Sequence, residues 1–238
     1  MTILYGMGSP NVSKVVIMLE ELGFSYAFRR VNVFASEQFG PEIDALNPNH
    51  KVPVLVDEQG PDGGRHVLFE SAAILIYLAQ KAGRLLPPSG AARFETFKWL
   101  MFQVAGVGPM IGQLNHFRQG APDGNDYAIQ RYTNEMYRLY DVPDRHLAEN
   151  AFLAGEYSIA DISTHPWVNA YERYGLYWSD RPNLSRWWHA VSARPGVVAA
   201  AAKMAPLWEA DREARANATP DDMDRFYNRK ASATSSPK

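Results

Sequence analysis

The sequence changes its pattern at LLPPSGAA, residues 85–92. Before that segment, apolar residues recur by turns with the two-residue period of a strand and the 3.6-residue period of a helix, and after it only the helical period persists. Thr2 to Tyr5 alternates as a short strand. From Ser13, the spacing of Val15, Val16, Leu19 and Leu22 gives an amphipathic helix that stops at Gly23. Tyr26 to Val33 reads as a second strand, parallel to the first by connection length and handedness. EQFGPEIDALNP follows as a loop with a short helix, KVPVLVDEQG and RHVLFE form a hairpin across QGPDGG, and SAAILIYLAQKAG is a helix between Ser71 and Gly83. The order strand, helix, strand, helix, strand, strand, helix defines an α/β domain over residues 1–84. The paired prolines and glycine mark a linker at 85–91, and an all-helical domain spans 92–210. From Asp211 the apolar periodicity fades, so 211–238 reads as an extended or partly disordered tail in which Phe226 and Tyr227 could still dock.

Composition narrows the chemistry. With 24 basic against 26 acidic residues and a formal charge of -2, there is no electrostatic case for nucleic acid or an anionic membrane. With no cysteine, disulfides, thiolate metal sites and a protein thiol nucleophile are excluded; any sulfur in the reaction comes with the substrate. The histidines at 50, 66, 116, 146, 165 and 189 lack metal-ligand spacing, and neither a phosphate-binding glycine loop nor a nucleophile elbow is present. MTILYGMGSP has neither the basic start nor the apolar run of a signal peptide, which makes the cytoplasm the expected location.

Four positions can carry chemistry. In YGMGSPNVSKVVI the strand breaks at Gly8 to Asn11 and becomes a helix, whose unpaired N–H groups favour an anion or thiolate; Ser9 and Asn11 could add donors, or one of them simply caps the helix. Val52-Pro53 opens the third strand, and a cis bond there would turn the backbone of Val52 toward a ligand, although sequence does not give the isomer. Glu70-Ser71, at the junction of the last strand and its helix, could read the ammonium and carboxylate of an amino-acid-like ligand, or Ser71 could be an ordinary cap. Ser158 and Asp161, in SIADISTHPWV, have capping-box spacing and read as structural. The aromatic clusters RWWHAV and YERYGLYW read as packing.

Taken in order, SPNVSKVVIMLEELG, NPNHKVPVLVD, GPDGG, LFESAAILIYLA, FQVAGVGPMIGQLNHF, AIQRY and SIADISTHPWVNAYERYG resemble the cytosolic glutathione transferase superfamily, and within it the bacterial Nu class with its disulfide-bond oxidoreductases. The resemblance covers roughly residues 2–205. It implies an α/β thioredoxin-like N-terminal domain plus an all-α C-terminal domain, glutathione as co-substrate, no metal, and a homodimer. By position, Val52 would present its backbone to the cysteinyl part of glutathione across a cis Pro53. Glu70 and Ser71 would hold the γ-glutamyl end, while Gln38, His50 and Lys51 match the glycine-end region. Arg131 matches a helical-domain arginine that reaches into the site, and Ser9 and Asn11 sit where the class holds the glutathione sulfur. Phe102, Met110, Phe117, Trp167 and Tyr171 are candidates to line a second pocket.

Some residues depart from the class pattern. Val12 stands in place of a glycine and could narrow or shift the turn. His50 replaces an asparagine and could make glycine-end binding pH-dependent. Ser9 lacks the methyl of a threonine. Pro143 should kink or end its helix. The expected activity is glutathione-dependent disulfide reduction with weak conjugation of electrophiles. Two other readings are a transferase or lyase attacking carbon, as in an aryl ether, and a non-catalytic regulator that keeps the fold.

Overall fold

The computed structural model describes residues 1–168 and 174–229. Strands β1 (Thr2–Gly6), β2 (Tyr26–Arg30), β3 (Val54–Asp57) and β4 (His66–Phe69) form one mixed sheet in the order β2-β1-β3-β4. Helix α1 (Pro10–Leu22) carries the chain back across the sheet, so β1 and β2 run parallel, with Thr2 opposite Tyr26 and Gly6 opposite Arg30. β3 is antiparallel to both β1 and β4. β2 ends before the expected Val33 because the Asn32 side chain accepts from the Phe34 N–H at 3.1 Å, and this Asx turn begins a 3₁₀ turn at Val33–Ala35. A second 3₁₀ turn, Glu37–Phe39, leads into α2 (Pro41–Leu46), and α3 (Ser71–Ala82) follows β4.

The period of two divides the central strands between two cores. Leu4 and Leu55 face α1 and α3, whereas Ile3, Tyr5, Val54 and Val56 face the opposite way, onto Val31, Val33, Phe34 and Ile43. The first core continues without a break into the helical domain. There α4 (Gly90–Phe102) passes through a π-helical turn at Gln103–Val107 into α5 (Gly108–Gln119), followed by α6 (Asp126–Leu147), α7 (Ile159–Val168), α8 (Pro182–Ser192) and α9 (Pro195–Ala216). α1 is apolar on nearly every face and packs against α3, α7 and α9. No helix among the described residues is long and apolar enough to cross a membrane.

One expectation is corrected and one is narrowed. Residues 211–229 are not an extended tail: α9 runs on to Ala216, α10 (Pro220–Phe226) follows, and Ala214, Ala218, Met223 and Phe226 close the second core, with the Phe226 ring 4.9 Å from that of Phe34. Positions 230–238 lie outside the described residues. Pro143 does not end its helix, since α6 continues to Leu147. The Ser158–Asp161 box is structural, as read. Asp161 is fully buried and accepts from the N–H groups of Leu153 and Ser158, both at 3.0 Å, and from Trp187 Nε1 at 2.8 Å. Burial pushes its carboxyl up to about 6 against these donors, so at neutral pH the carboxylate is the form they face.

Candidate active site

The break between β1 and α1 forms the centre of the candidate site. Ser9 is the N-cap of α1, in extended backbone, and its Oγ accepts from the Val12 N–H at 3.3 Å, while Pro10 opens the helix with the φ that a first turn requires. Capping and ligand binding are compatible here, because the cap uses a lone pair of the hydroxyl and leaves its hydrogen to be donated. Asn11 Oδ1 accepts from Trp167 Nε1 at 3.3 Å. An indole N–H can only donate, so this contact fixes the amide orientation and leaves the Asn11 NH₂ as a donor. Val12 does not narrow the site: it is fully buried, and a Cβ on Gly6 would stand 2.6 Å from Val12 Cγ1, so the valine fills the space left by a glycine side chain.

The turn is held from the far end of the chain. The Gly8 N–H donates to Asp211 Oδ2 at 2.5 Å, and Arg30 Nε donates to Asp211 Oδ1 at 2.9 Å. The α9 backbone at Trp208 passes so close to Gly8 that a Cβ there would lie 2.8 Å from the Trp208 Cα.

The Val52-Pro53 bond is cis. Val52 lies outside the ladder, which begins at Val54. The preceding loop is organised by buried Asn47, whose amide donates to the Lys51 carbonyl at 2.7 Å and whose Oδ1 accepts from the Asn49 N–H at 2.9 Å. His50 has a φ of 52°, in the left-handed region, and its Nε2 lies 2.7 Å from Asp44 Oδ1. Lys51 is exposed. Gln38 is buried on its 3₁₀ turn, with Oε1 lacking a partner among the described residues.

At the start of α3, Glu70 is exposed with a φ of 70°, a strained backbone for a residue with a side chain, and Ser71 behind it is buried. Both occupy the end of a helix whose first N–H groups have no partner within it. Arg131 on α6 is largely exposed, with an ion-pair partner in Glu135 at 3.9 Å; the structure gives it no contact with the turn or with α3. Among the described residues no group of side chains could hold a metal.

Beside Lys51 opens a cleft of about 430 Å³ between the 47–51 loop, α5 and the C-terminal segment. Its lining includes Gln113, His116, Arg215, Phe226 and Tyr227. Arg215 Nη2 donates to the Tyr227 hydroxyl at 2.9 Å, and the Tyr227 ring stands 5.0 Å from that of His116. This wall is more basic than the apolar set expected from the sequence. Of that set, Trp167 is engaged with Asn11, Phe102 packs edge-on against Trp99, Phe117 stacks on Tyr132, and Tyr171 lies outside the described residues.

Sequence reasoning passed over Lys14. It is 1 % exposed, one helical turn into α1 and behind the active turn, with Nζ 2.7 Å from Gln103 Oε1 and 3.4 Å from Ser71 Oγ. The available signal was a lysine followed directly by Val15 and Val16 in a helix with little polar face.

A thioredoxin-like sheet carrying a capped turn, a cis proline and a Glu-Ser helix start, joined to a helical domain, defines a glutathione transferase fold, and the chain belongs to the glutathione S-transferase family. The family model described as "Glutathione S-transferase, N-terminal domain" matches residues 8–81, and that described as "Glutathione S-transferase, C-terminal domain" matches residues 109–195. Among individual proteins, the chain is 42% identical over 196 residues to the disulfide-bond oxidoreductase YfcG of Escherichia coli strain K12, covering 82% of this chain and 91% of that protein. A glutathione transferase family member from Pseudomonas fluorescens, solved with two glutathione molecules bound, superposes with a TM-score of 0.78 at 41% identity, over 84% of this chain and 91% of the other. A glutathione transferase from Pseudomonas putida, solved with one glutathione disulfide per subunit, gives a TM-score of 0.78 at 40% identity, over 84% and 90%.

Proposed function

We propose that this protein is a glutathione-dependent disulfide-bond reductase with weak conjugation activity. The observation that carries the reading is the Ser9–Asn11 turn, a helix N-terminus with a free hydroxyl hydrogen and a free amide, in a chain that owns no thiol. Kinship with a named disulfide-bond oxidoreductase supports it.

In this reading Glu70 pairs with the γ-glutamyl ammonium, and Ser71 with the α3 N–H groups takes its carboxylate. Val52 offers its backbone to the cysteinyl unit beside Pro53, and Gln38, His50 and Lys51 meet the glycine end. Arg131 stays a candidate contact from the helical domain; its side chain stands 3.9 Å from Glu135 and does not line the cleft. The Ser9 hydroxyl, the Asn11 amide and the dipole of α1 stabilise negative charge on the sulfur, which lowers the thiol pKa and raises the thiolate fraction near neutral pH. That thiolate attacks one sulfur of a disulfide; the S–S bond breaks, the departing thiolate takes a proton from water, and a mixed disulfide remains. A second glutathione thiolate attacks the mixed disulfide, releasing the remaining thiol and glutathione disulfide. Lys51 and Arg215 give the neighbouring cleft a positive wall suited to the carboxylates of that second tripeptide.

The chain is proposed to work as a homodimer. Phe69 on the edge strand β4, with Phe94 and Met101 on α4, leaves apolar surface exposed that a second copy would cover.

The test is an NADPH and glutathione reductase coupled assay with 2-hydroxyethyl disulfide, run beside aryl halide conjugation on the same preparation. Disulfide turnover exceeding conjugation by orders of magnitude is the expected result. The reverse ratio would overturn the reading in favour of attack on carbon.

A further inference from the structure

A buried lysine is an expensive way to fill space. Removing an ammonium from water is unfavourable, and a methionine would occupy a similar volume without that cost. Lys14 Nζ nevertheless stands against Ser71 Oγ, at 3.4 Å, and against Gln103 Oε1, at 2.7 Å, with the Trp167 ring centroid 5.9 Å away. The same indole donates to Asn11, so Lys14 contacts Ser71 directly and faces the ring that orients Asn11.

The chemistry of these contacts has a direction. An ammonium has donors and no acceptor, so Ser71 Oγ meets Lys14 with a lone pair and its hydrogen is left to point elsewhere. Gln103 Oε1 is held from a second side by the Ser163 hydroxyl at 2.6 Å, which locks the oxygen edge of the amide toward Lys14. The π-helical turn that begins at Gln103 places this amide, and a Cβ on Gly108 would come within 2.8 Å of its Nε2.

We propose that Lys14 is a positioning residue for the γ-glutamyl carboxylate of glutathione, turning the Ser71 hydroxyl outward and supplying the positive charge behind it. The proposal rests on the reading of Ser71 as a glutathione contact. Burial holds the Lys14 ammonium down to about 7, against the opposing pull of Glu70. The ionisable groups around it are few. Glu70 lies at the start of α3, Gln103 in the π-helical turn is neutral, and on α7 Ser163 and Trp167 are neutral. His165, also on α7, is kept uncharged by burial and lies 2.8 Å from Ser192 on α8. A carboxylate arriving at Ser71 adds a second negative charge, favours the ammonium, and draws a proton into the protein.

Calorimetry with S-methylglutathione, which has no thiol to ionise, tests this in two buffers of different ionisation enthalpy. At pH 7.5 the wild type should take up roughly half a proton on binding. Its affinity should fall as pH rises from 6.5 to 9. Lys14→Met should take up none, bind about tenfold more weakly at pH 6.5, and converge with the wild type by pH 9. The Ser71→Ala penalty should shrink in the Lys14→Met background. Wild-type affinity and proton uptake retained in Lys14→Met would overturn the proposal. If Ser71→Ala alone changes nothing, the Ser71 contact fails rather than the lysine. His50→Asn guards against misfolding of the lysine variant: uptake that persists in it supports Lys14, and uptake that disappears with His50 overturns the proposal.

Discussion

At the scale of single residues, the candidate site divides into side chains that the sequence singled out and one, Lys14, that only the fold brings to notice. Ser9, Asn11, Glu70 and Ser71 stand out as candidates because polar residues interrupt apolar periods at strand-to-helix junctions, where helix N–H groups await partners. Lys14 does not, because a lysine in a helical segment reads as solvent-facing until the helix is seen enclosed by α3, α7 and α9. Val12 was misjudged for a related reason: its partner is the missing side chain of Gly6, a tertiary fact. Ser9→Ala and Asn11→Ala should each lower kcat for disulfide reduction by about a hundredfold, the lower end of the range for removing a donor from a developing anion. Their KM for glutathione should change less than threefold. Stopped-flow absorbance of the bound thiolate should show its pKa rising in both variants.

Helices and turns carry the next level, where α7 is the element that most others lean on. Its Ser158–Asp161 box was plain in the sequence as spacing, but the further bonds to Leu153 and Trp187 join residues that only the fold brings together. Asp161→Ala would leave four buried donors (the Leu153 and Ser158 N–H groups, the Ser158 hydroxyl and Trp187 Nε1) without this partner and should cost about 3–5 kcal/mol, read as a lower urea midpoint. The π-helical turn after Phe102 left no trace in QVAGV beyond small residues. α7 also governs the acid response. His165 is held neutral by burial, down to about 4, below its unfolded value, so the stability it contributes is present above pH 6.5 and is lost as pH falls toward 4. His165→Gln should therefore lose roughly 3 kcal/mol less than the wild type between pH 7 and 4, a difference that denaturant titrations at the two pH values will read. Asp161 titrates across part of the same window with opposite sign, and cancels because both proteins carry it.

For the whole molecule, the order of elements and the α/β-then-helical plan could be read from periodicity alone, whereas the fate of the C-terminal segment could not. Ala214, Ala218, Met223 and Phe226 are too sparse to make a periodic signal, yet they complete a core begun by Val33 and Phe34. Ending the chain after Ala216 should remove about 2 kcal/mol by baring that face, seen as a lower Tm and a smaller urea m-value. Phe94→Asp should convert the proposed homodimer into a monomer in light scattering at micromolar concentration; an unchanged dimeric mass would place the interface elsewhere, and a monomeric wild type would remove the dimer from the proposal. The bond from Gly8 to Asp211 spans 203 positions of sequence. A ribosome adding about 5–20 residues per second therefore makes the turn roughly 10–40 s before it makes the carboxylate that braces it. During that interval the nascent sheet has a bare second face and an unbraced turn, so the candidate site reaches its final form only after Asp211 and the residues that follow it have been made.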